Sequence, residues 1–254
     1  MIEKRVFTFN GSNEKLVGLK SIPDEIREKY KTVILAHGFG VDKENKGLFN
    51  DLTKSLVGAG FLVYRFDFSG SGESEGNYAK TSISKLSEDL KRIVQFVRSK
   101  SDTDLDNIGI VGNSMGSGVV LSLKPRVKSL VFIGGHYDIY SLISALFGDG
   151  FNSDGDSVRV NSRGNVIKME KGFWSDLKEN HFNLLGNVSE LNCPVLFVHG
   201  DCDENIPFSQ CEDLFDNANE QKKLVKISKA NHNFTEHRDE LCEKVVSWFE
   251  RFLN

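Results

Sequence analysis

The sequence is short of several things, and each shortage excludes a class of protein. None of its apolar runs approaches membrane-spanning length, so no membrane partner is expected. The opening Met1-Ile2-Glu3-Lys4-Arg5-Val6 is charged at once and lacks an apolar h-region. No secretory signal is expected, and the reading is a cytoplasmic protein. The four cysteines, Cys193, Cys202, Cys211 and Cys242, show neither C-x-x-C spacing nor a histidine pattern for zinc and read as reduced thiols. Basic charge is not in excess. The 32 Lys and Arg face 36 Asp and Glu, for a net charge of −4. They form no basic patch, which argues against nucleic acid or an anionic surface as partner. Internal repeats, low-complexity stretches and Pro/Ser-rich linkers are missing too, so residues 1–254 read as one domain. With 39% apolar and 27% charged residues, the chain has the means to bury a sizeable core.

What is present is an alternation of β-rich runs with amphipathic stretches. Residues 5–9 and 15–20 flank Asn10-Gly11-Ser12-Asn13 and predict an antiparallel hairpin. Strands are predicted at 32–36, 61–67, 107–111, 129–134, 193–199 and 223–228. Helices are predicted at 47–59, 82–98, from 117 onward, at 208–217 and at 236–253. Strands alternating with helices imply a mostly parallel sheet covered on both faces. The alternation stops between His136 and Leu191. Inside that break, Gly148 to Asp156 is rich in Gly, Asp and Asn but misses the D-x-[DN]-x-[DN]-G calcium spacing, and reads as a solvated turn. Val158-Arg159-Val160 and Val166 to Met169 flank Asn161 to Asn165 as a small hairpin, and Phe173 to Phe182 reads as helical. An insertion after the C-terminal end of a strand sits where open α/β sheets bind ligands. The stretch 136–190 is therefore read as a cap.

The residues with chemistry centre on Gly112-Asn113-Ser114-Met115-Gly116, between an apolar strand and a helix start. A serine on so tight a strand-to-helix turn needs glycine two residues to either side, and the turn lifts its hydroxyl clear of the sheet. A serine hydroxyl is a poor nucleophile near neutral pH. It needs a histidine to take its proton and a carboxylate to orient that histidine. Two acids follow a strand in His199-Gly200-Asp201-Cys202-Asp203, and His232 follows another in Ala230-Asn231-His232-Asn233-Phe234. All lie at the sheet edge that carries Ser114. The pattern of residues leaves Asp201 and Asp203 both open as the orienting acid. His37 reads as a loop-stabilising residue, and His136, His181 and His237 show no partner pattern.

His37-Gly38-Phe39-Gly40, Asp67 to Ser74, Gly112 to Gly116, His199 to Pro207 and Ala230 to Phe234 together resemble the α/β-hydrolase superfamily, over nearly the whole chain. The insertion after the strand at 129–134, with its small hairpin, resembles the cinnamoyl/feruloyl esterase group more narrowly. Serine peptidases and acylglycerol lipases are similar as well. The resemblance implies an α/β-hydrolase fold: a mostly parallel central sheet, helices on both faces and a cap. It implies a Ser–acid–His order, with Ser114 as nucleophile and His232 as base. In the pattern His-Gly-x-x-Asp-x-x-Pro the acid stands four residues after the histidine, which assigns Asp203 and leaves Asp201 to brace the turn. Oxyanion donors would be the N–H groups of Phe39 and Met115. The Asp67–Ser74 loop would shape the floor of the site. Lys229-Ala230-Asn231-His232 departs from the family by lacking a glycine before the histidine, which leaves the path of that loop open.

The function so implied is hydrolysis of short-chain acyl or hydroxycinnamoyl esters through an acyl-enzyme on Ser114. A serine peptidase, a thioesterase, an acylglycerol lipase and a non-catalytic binding protein of the same fold are the alternatives. The partner expected is a small-molecule ester. No metal or organic cofactor is implied, and the oligomeric state is not read, a homodimer remaining open. The cap is rich in aromatics and is expected to line a pocket over Ser114. Phe173 and Trp174 read mainly as cap core. Tyr137, Tyr140 and Trp174 are the candidate substrate contacts.

Overall fold

Two antiparallel strands, β1 (Ile2–Phe9) and β2 (Lys15–Ile22), open the chain, and β2 runs antiparallel to β4 (Leu62–Phe66). From there the sheet is parallel. It passes through β4, β3 (Tyr30–Ala36), β5 (Thr103–Asn113), β6 (Ser129–Ile133), β9 (Val195–Gly200) and β10 (Lys222–Ile227), for eight strands in the order β1-β2-β4-β3-β5-β6-β9-β10. This computed structural model describes residues 1–160, 164, 166–180 and 182–254. Among the described residues it has eight α-helices, and none is long and apolar enough to cross a membrane.

The period-two geometry of a strand divides its side chains between two cores. Ile34, Leu62, Tyr64 and Ile110 enter one core, with α2 (Ile83–Arg98), α3 (Met115–Leu123) and α7 (Phe208–Asn217). Val33, Leu35, Val63 and Val111 enter the other, with α1 (Leu48–Gly58) and α8 (Arg238–Phe252). Since both faces are covered, the central strands read as near-continuous apolar runs. Helix α2 shows how sequence sets an element. Ile83, Leu86, Leu90, Ile93, Val94 and Val97 recur at helical spacing and are buried. The Ser82 hydroxyl caps its start by accepting the Lys85 N–H at 3.1 Å.

The insertion contains α4 (Ile139–Phe147), a hairpin of β7 (Ser157–Val160) with β8 (Val166–Met169), α5 (Lys171–Glu179) and α6 (Leu184–Ser189). Helix α4 is not in the sequence reading. It starts where Asp138 accepts the Ser141 N–H at 3.0 Å, and it buries Ile139, Ile143 and Phe147. Residues 161–163 and 165 of the expected hairpin turn, and His181, lie outside the described residues. The expected helix over 173–182 begins two residues earlier and ends at Glu179.

Helix α3 enters from β5 through the Gly112–Gly116 turn. A Cβ on Gly116 would lie 2.1 Å from the Ala36 carbonyl oxygen, and one on Gly112 would lie 2.8 Å from Ser117 Cα. Both are backbone obstacles that no rotamer change relieves. Gly58, at the end of α1, meets nothing within 4 Å. Gly116→Ala is therefore expected to lower stability by about 3 kcal/mol or more, as overpacking against backbone. Gly58→Ala is expected to raise it by about 0.5–1 kcal/mol. Urea unfolding of the two variants checks this, and similar behaviour would show that the Gly116 contact relaxes freely.

Candidate active site

Strands β3, β4, β5, β6, β9 and β10 are parallel, so the loops after their C-terminal ends share one edge. That edge carries His37–Gly40 after β3, Asp67 after β4, Ser114 after β5, Gly134–His136 after β6, Asp203 after β9 and His232 after β10. Ser114 adopts φ 51° and ψ −123°, a left-handed conformation costly for a residue with a side chain. Its N–H donates to the Ile133 carbonyl at 2.8 Å, which ties the turn to β6. Gly38 passes directly behind it, where a Cβ would lie 3.3 Å from Ser114 Cβ.

The Asp203 carboxylate is nearly inaccessible and fully used. One oxygen accepts the backbone N–H groups of Asn205 and Ile206, each at 2.9 Å. The other lies 2.8 Å from His232 Nδ1 and 3.3 Å from His199 Nε2. Burial by itself would raise its pKa. The hydrogen bonds from His199 and His232 outweigh that and hold the carboxyl far below the ordinary carboxylate range. His199 is fully buried, and its Nε2 also faces the Ile206 carbonyl at 3.0 Å. With Asp203 on Nδ1, the proton sits there and His232 Nε2 is left as acceptor. Asp201 is elsewhere: it is exposed and accepts the Lys229 N–H, bracing the turn before His232.

His37 is locked between two backbone groups. Its Nε2 accepts the Phe68 N–H at 3.0 Å, so Nδ1 is the protonated nitrogen, donating to the Gly38 carbonyl at 3.0 Å. Burial keeps it neutral by pushing its pKa down. Next to it, Tyr78 accepts the Gly40 N–H at 2.7 Å. The Phe39 N–H makes no hydrogen bond among the described residues, and Met115 is the first residue of α3, where an N–H has no partner within its helix. Below, Asp67 is fully buried and accepts the Lys43 N–H at 2.7 Å, Lys43 Nζ at 2.8 Å and the Glu73 N–H at 2.9 Å.

Ser114 and His232 line one cavity of about 120 Å³, with Gly38, Phe39, Asn113 and Ile206 from the sheet edge and Leu142, Ile143, Leu146 and Arg159 from the cap. This corrects the expected aromatic lining, because Tyr137, Tyr140 and Trp174 are not among its walls. Tyr137 donates its hydroxyl to Asp213 on α7 at 2.9 Å. Tyr140, Phe147, Phe151 and Phe173 pack edge-on around the fully buried Trp174. The rings bury their large areas against one another and leave aliphatic side chains to face the site. His136, read from sequence as unremarkable, lines the cavity at 1% exposure with neither ring nitrogen hydrogen-bonded. Its position three residues past the end of β6 was the signal available. Nothing in the sequence marked Tyr78 or Arg159. Among the described residues, no cluster of three or more His, Cys, Asp or Glu side chains is placed to hold a metal ion.

Comparison with known proteins agrees with the fold. A serine aminopeptidase (S33) family model matches residues 27–145, and a prolyl oligopeptidase family model matches residues 155–254. The uncharacterized protein YfhR of Escherichia coli K12 is 26% identical over 226 residues, covering 88% of this chain and 71% of that one. A monoacylglycerol lipase of Mycolicibacterium smegmatis is 25% identical over 252 residues, covering 87% and 88%. The structure of Est1E from Butyrivibrio proteoclasticus with ferulic acid bound superposes with a TM-score of 0.82 at 20% identity, covering 97% and 98%. With its sheet order, its serine turn and these likenesses, the chain belongs to the α/β-hydrolase superfamily.

His136 has a consequence for acid stability. Burial pushes its pKa from 6.5 down to about 4, and a backbone group of Gly134, outside hydrogen-bonding geometry, offsets this only in part. Between those values the unfolded chain binds more protons than the folded one, so stability falls as pH drops from 6.5 to 4. The loss from this residue is about 3 kcal/mol. His136→Gln is expected to lack it. Urea unfolding at stepped pH checks this, and parallel curves for the two proteins would assign the acid loss elsewhere.

Proposed function

We propose that the chain is a serine hydrolase cleaving carboxylic esters with a short acyl part, through an acyl-enzyme on Ser114. The observation that carries this reading is the 2.8 Å contact between His232 Nδ1 and the buried Asp203 carboxylate, in a chain whose His232 and strained Ser114 share one cavity. In the first half-reaction Ser114 Oγ attacks the ester carbonyl carbon and His232 Nε2 takes its proton. The N–H groups of Phe39 and Met115 receive the developing oxyanion, an interaction of about 3 kcal/mol per donor. The tetrahedral adduct collapses as His232 returns the proton to the leaving alcohol. Water, deprotonated by the same imidazole, then releases the acid. Asp203 holds the imidazole tautomer and offsets its charge throughout.

The family models also favour a peptidase reading. Against an aminopeptidase, no carboxylate among the described residues lines the cavity to receive a substrate ammonium group. The monoacylglycerol lipase relative and the ferulic acid-bound Est1E support the ester reading. Between acyl groups, size decides. An engineered cavity of about 150 Å³ accepts a benzene ring; this one, at about 120 Å³, suits acetate to butyrate better than a hydroxycinnamate or a long chain.

Ser114→Ala is expected to fold, to lose fluorophosphonate labelling and to lower kcat by about 10⁴ or more. Asp203→Asn is expected to lower kcat by a similar order, because the amide favours the wrong imidazole tautomer. Asp201→Asn should remain near wild type. Rates on p-nitrophenyl acetate, butyrate and decanoate check this set. A crippled Asp201→Asn beside an active Asp203→Asn would overturn the assignment of the acid.

A further inference from the structure

The cavity over Ser114 holds more charge than ester cleavage uses, and all of it has one sign. Among the described residues its charged lining side chains are Lys46 and Arg159, with no carboxylate among the rest. The whole chain carries a net −4, so this is a local feature. Arg159 stands on β7, in the cap. Its Nη1 donates to the Leu146 carbonyl at 2.9 Å, in the last turn of α4, where a cation complements the carboxyl end of the helix. That bond fixes the guanidinium but uses one side of it. Arg159 Nε is buried and has no hydrogen-bond partner among the described residues. Neither Arg159 nor Lys46 pairs with a carboxylate among the described residues. The Tyr78 phenol near Arg159 offers no counter-charge, since burial raises its pKa and keeps it neutral. A buried guanidinium N–H without an acceptor is unfavourable, and an acceptor brought by a ligand removes the penalty.

We infer that the substrate carries a free carboxylate, bound by the Nε edge of Arg159, beside the ester that Ser114 opens. This rests on the ester-cleavage reading above. A carboxylate is planar with two acceptor oxygens and matches the paired N–H groups of a guanidinium edge. A neutral alkyl ester leaves that edge unpaired. Lys46, exposed and lining the same cavity, adds to the positive field. With about 120 Å³ available, the substrate class is a half-ester of a short dicarboxylic acid or a short-chain ester of a small hydroxy acid. The recognised group is the same in both.

The test compares kcat/KM by pH-stat within two pairs at neutral pH. Ethyl hydrogen glutarate against ethyl pentanoate places the carboxylate on the acyl side. O-Butyryl glycolate against propyl butyrate places it on the alcohol side. In wild type, one pair should favour its carboxylated member by at least about tenfold, through KM, and which pair does so identifies the side. Arg159→Gln should reduce that ratio by at least about tenfold, and Arg159→Lys should recover part of it. The wild-type comparison tests the substrate class even if a variant fails to fold. No preference in either pair, with neutral esters turned over, overturns this inference alone. Loss of the preference in Lys46→Gln but not in Arg159→Gln overturns the role of Arg159. No turnover of any of the four esters, with no phosphonate labelling of Ser114, overturns the ester reading and this inference with it.

Discussion

The first turn of α3 meets the carbonyl end of β3 with no room for a side chain between them. Gly116 occupies that contact, and its fit against the Ala36 carbonyl sets how α3 leaves the sheet. Three features of the edge follow from it. Ser114 takes a left-handed backbone because the chain must turn from strand to helix within one residue. The Met115 N–H, at the helix start, is left without an internal partner. Gly38 is brought behind Ser114, so Phe39 comes next to the same turn. The strain at one residue and the free donors around it are two results of one packing constraint.

Buried carboxylates hold the surrounding loops, each satisfied in a different way. Asp203 uses two backbone N–H groups and two imidazoles. Asp67 uses Lys43 and the Glu73 backbone. Asp89, on α2, accepts the Ser69 N–H at 2.8 Å and the Asn10 side chain at 2.9 Å, joining the loop after β4 to the β1–β2 turn. A buried carboxylate deprived of its partners is far more costly than an exposed one, so these loops have few alternative arrangements.

Much of this was legible in the sequence because the signals were periodic or steric. Ile83 to Val97 announces α2 through its spacing, and Val33 to Ala36 announces a central strand through its unbroken apolarity. Gly112 and Gly116 mark a turn that only glycine at those places permits. What was not legible depends on tertiary contact. Helix α4 is short and lies between a strand and a glycine-rich turn, so its period barely repeats. Aromatic content announced an apolar cap but not its direction, and Trp174 drew its neighbouring rings inward, away from Ser114. His136, Tyr78 and Arg159 have no motif of their own. They matter because loops from distant parts of the chain converge on them.

The chain has two tryptophans, and the sheet separates them. Trp174 is buried in the core that runs from α2 and α3 into the cap, and Trp248 is buried in the core beneath α1 and α8, where its Nε1 donates to the Ser129 hydroxyl at 2.8 Å. Each core thus contains its own intrinsic chromophore. Replacing either indole with phenylalanine leaves a single tryptophan, whose emission wavelength reports the wetting of one face of the molecule. Followed separately through a denaturant series, the two emitters show whether the cap side opens before the rest or the whole chain comes apart in one transition.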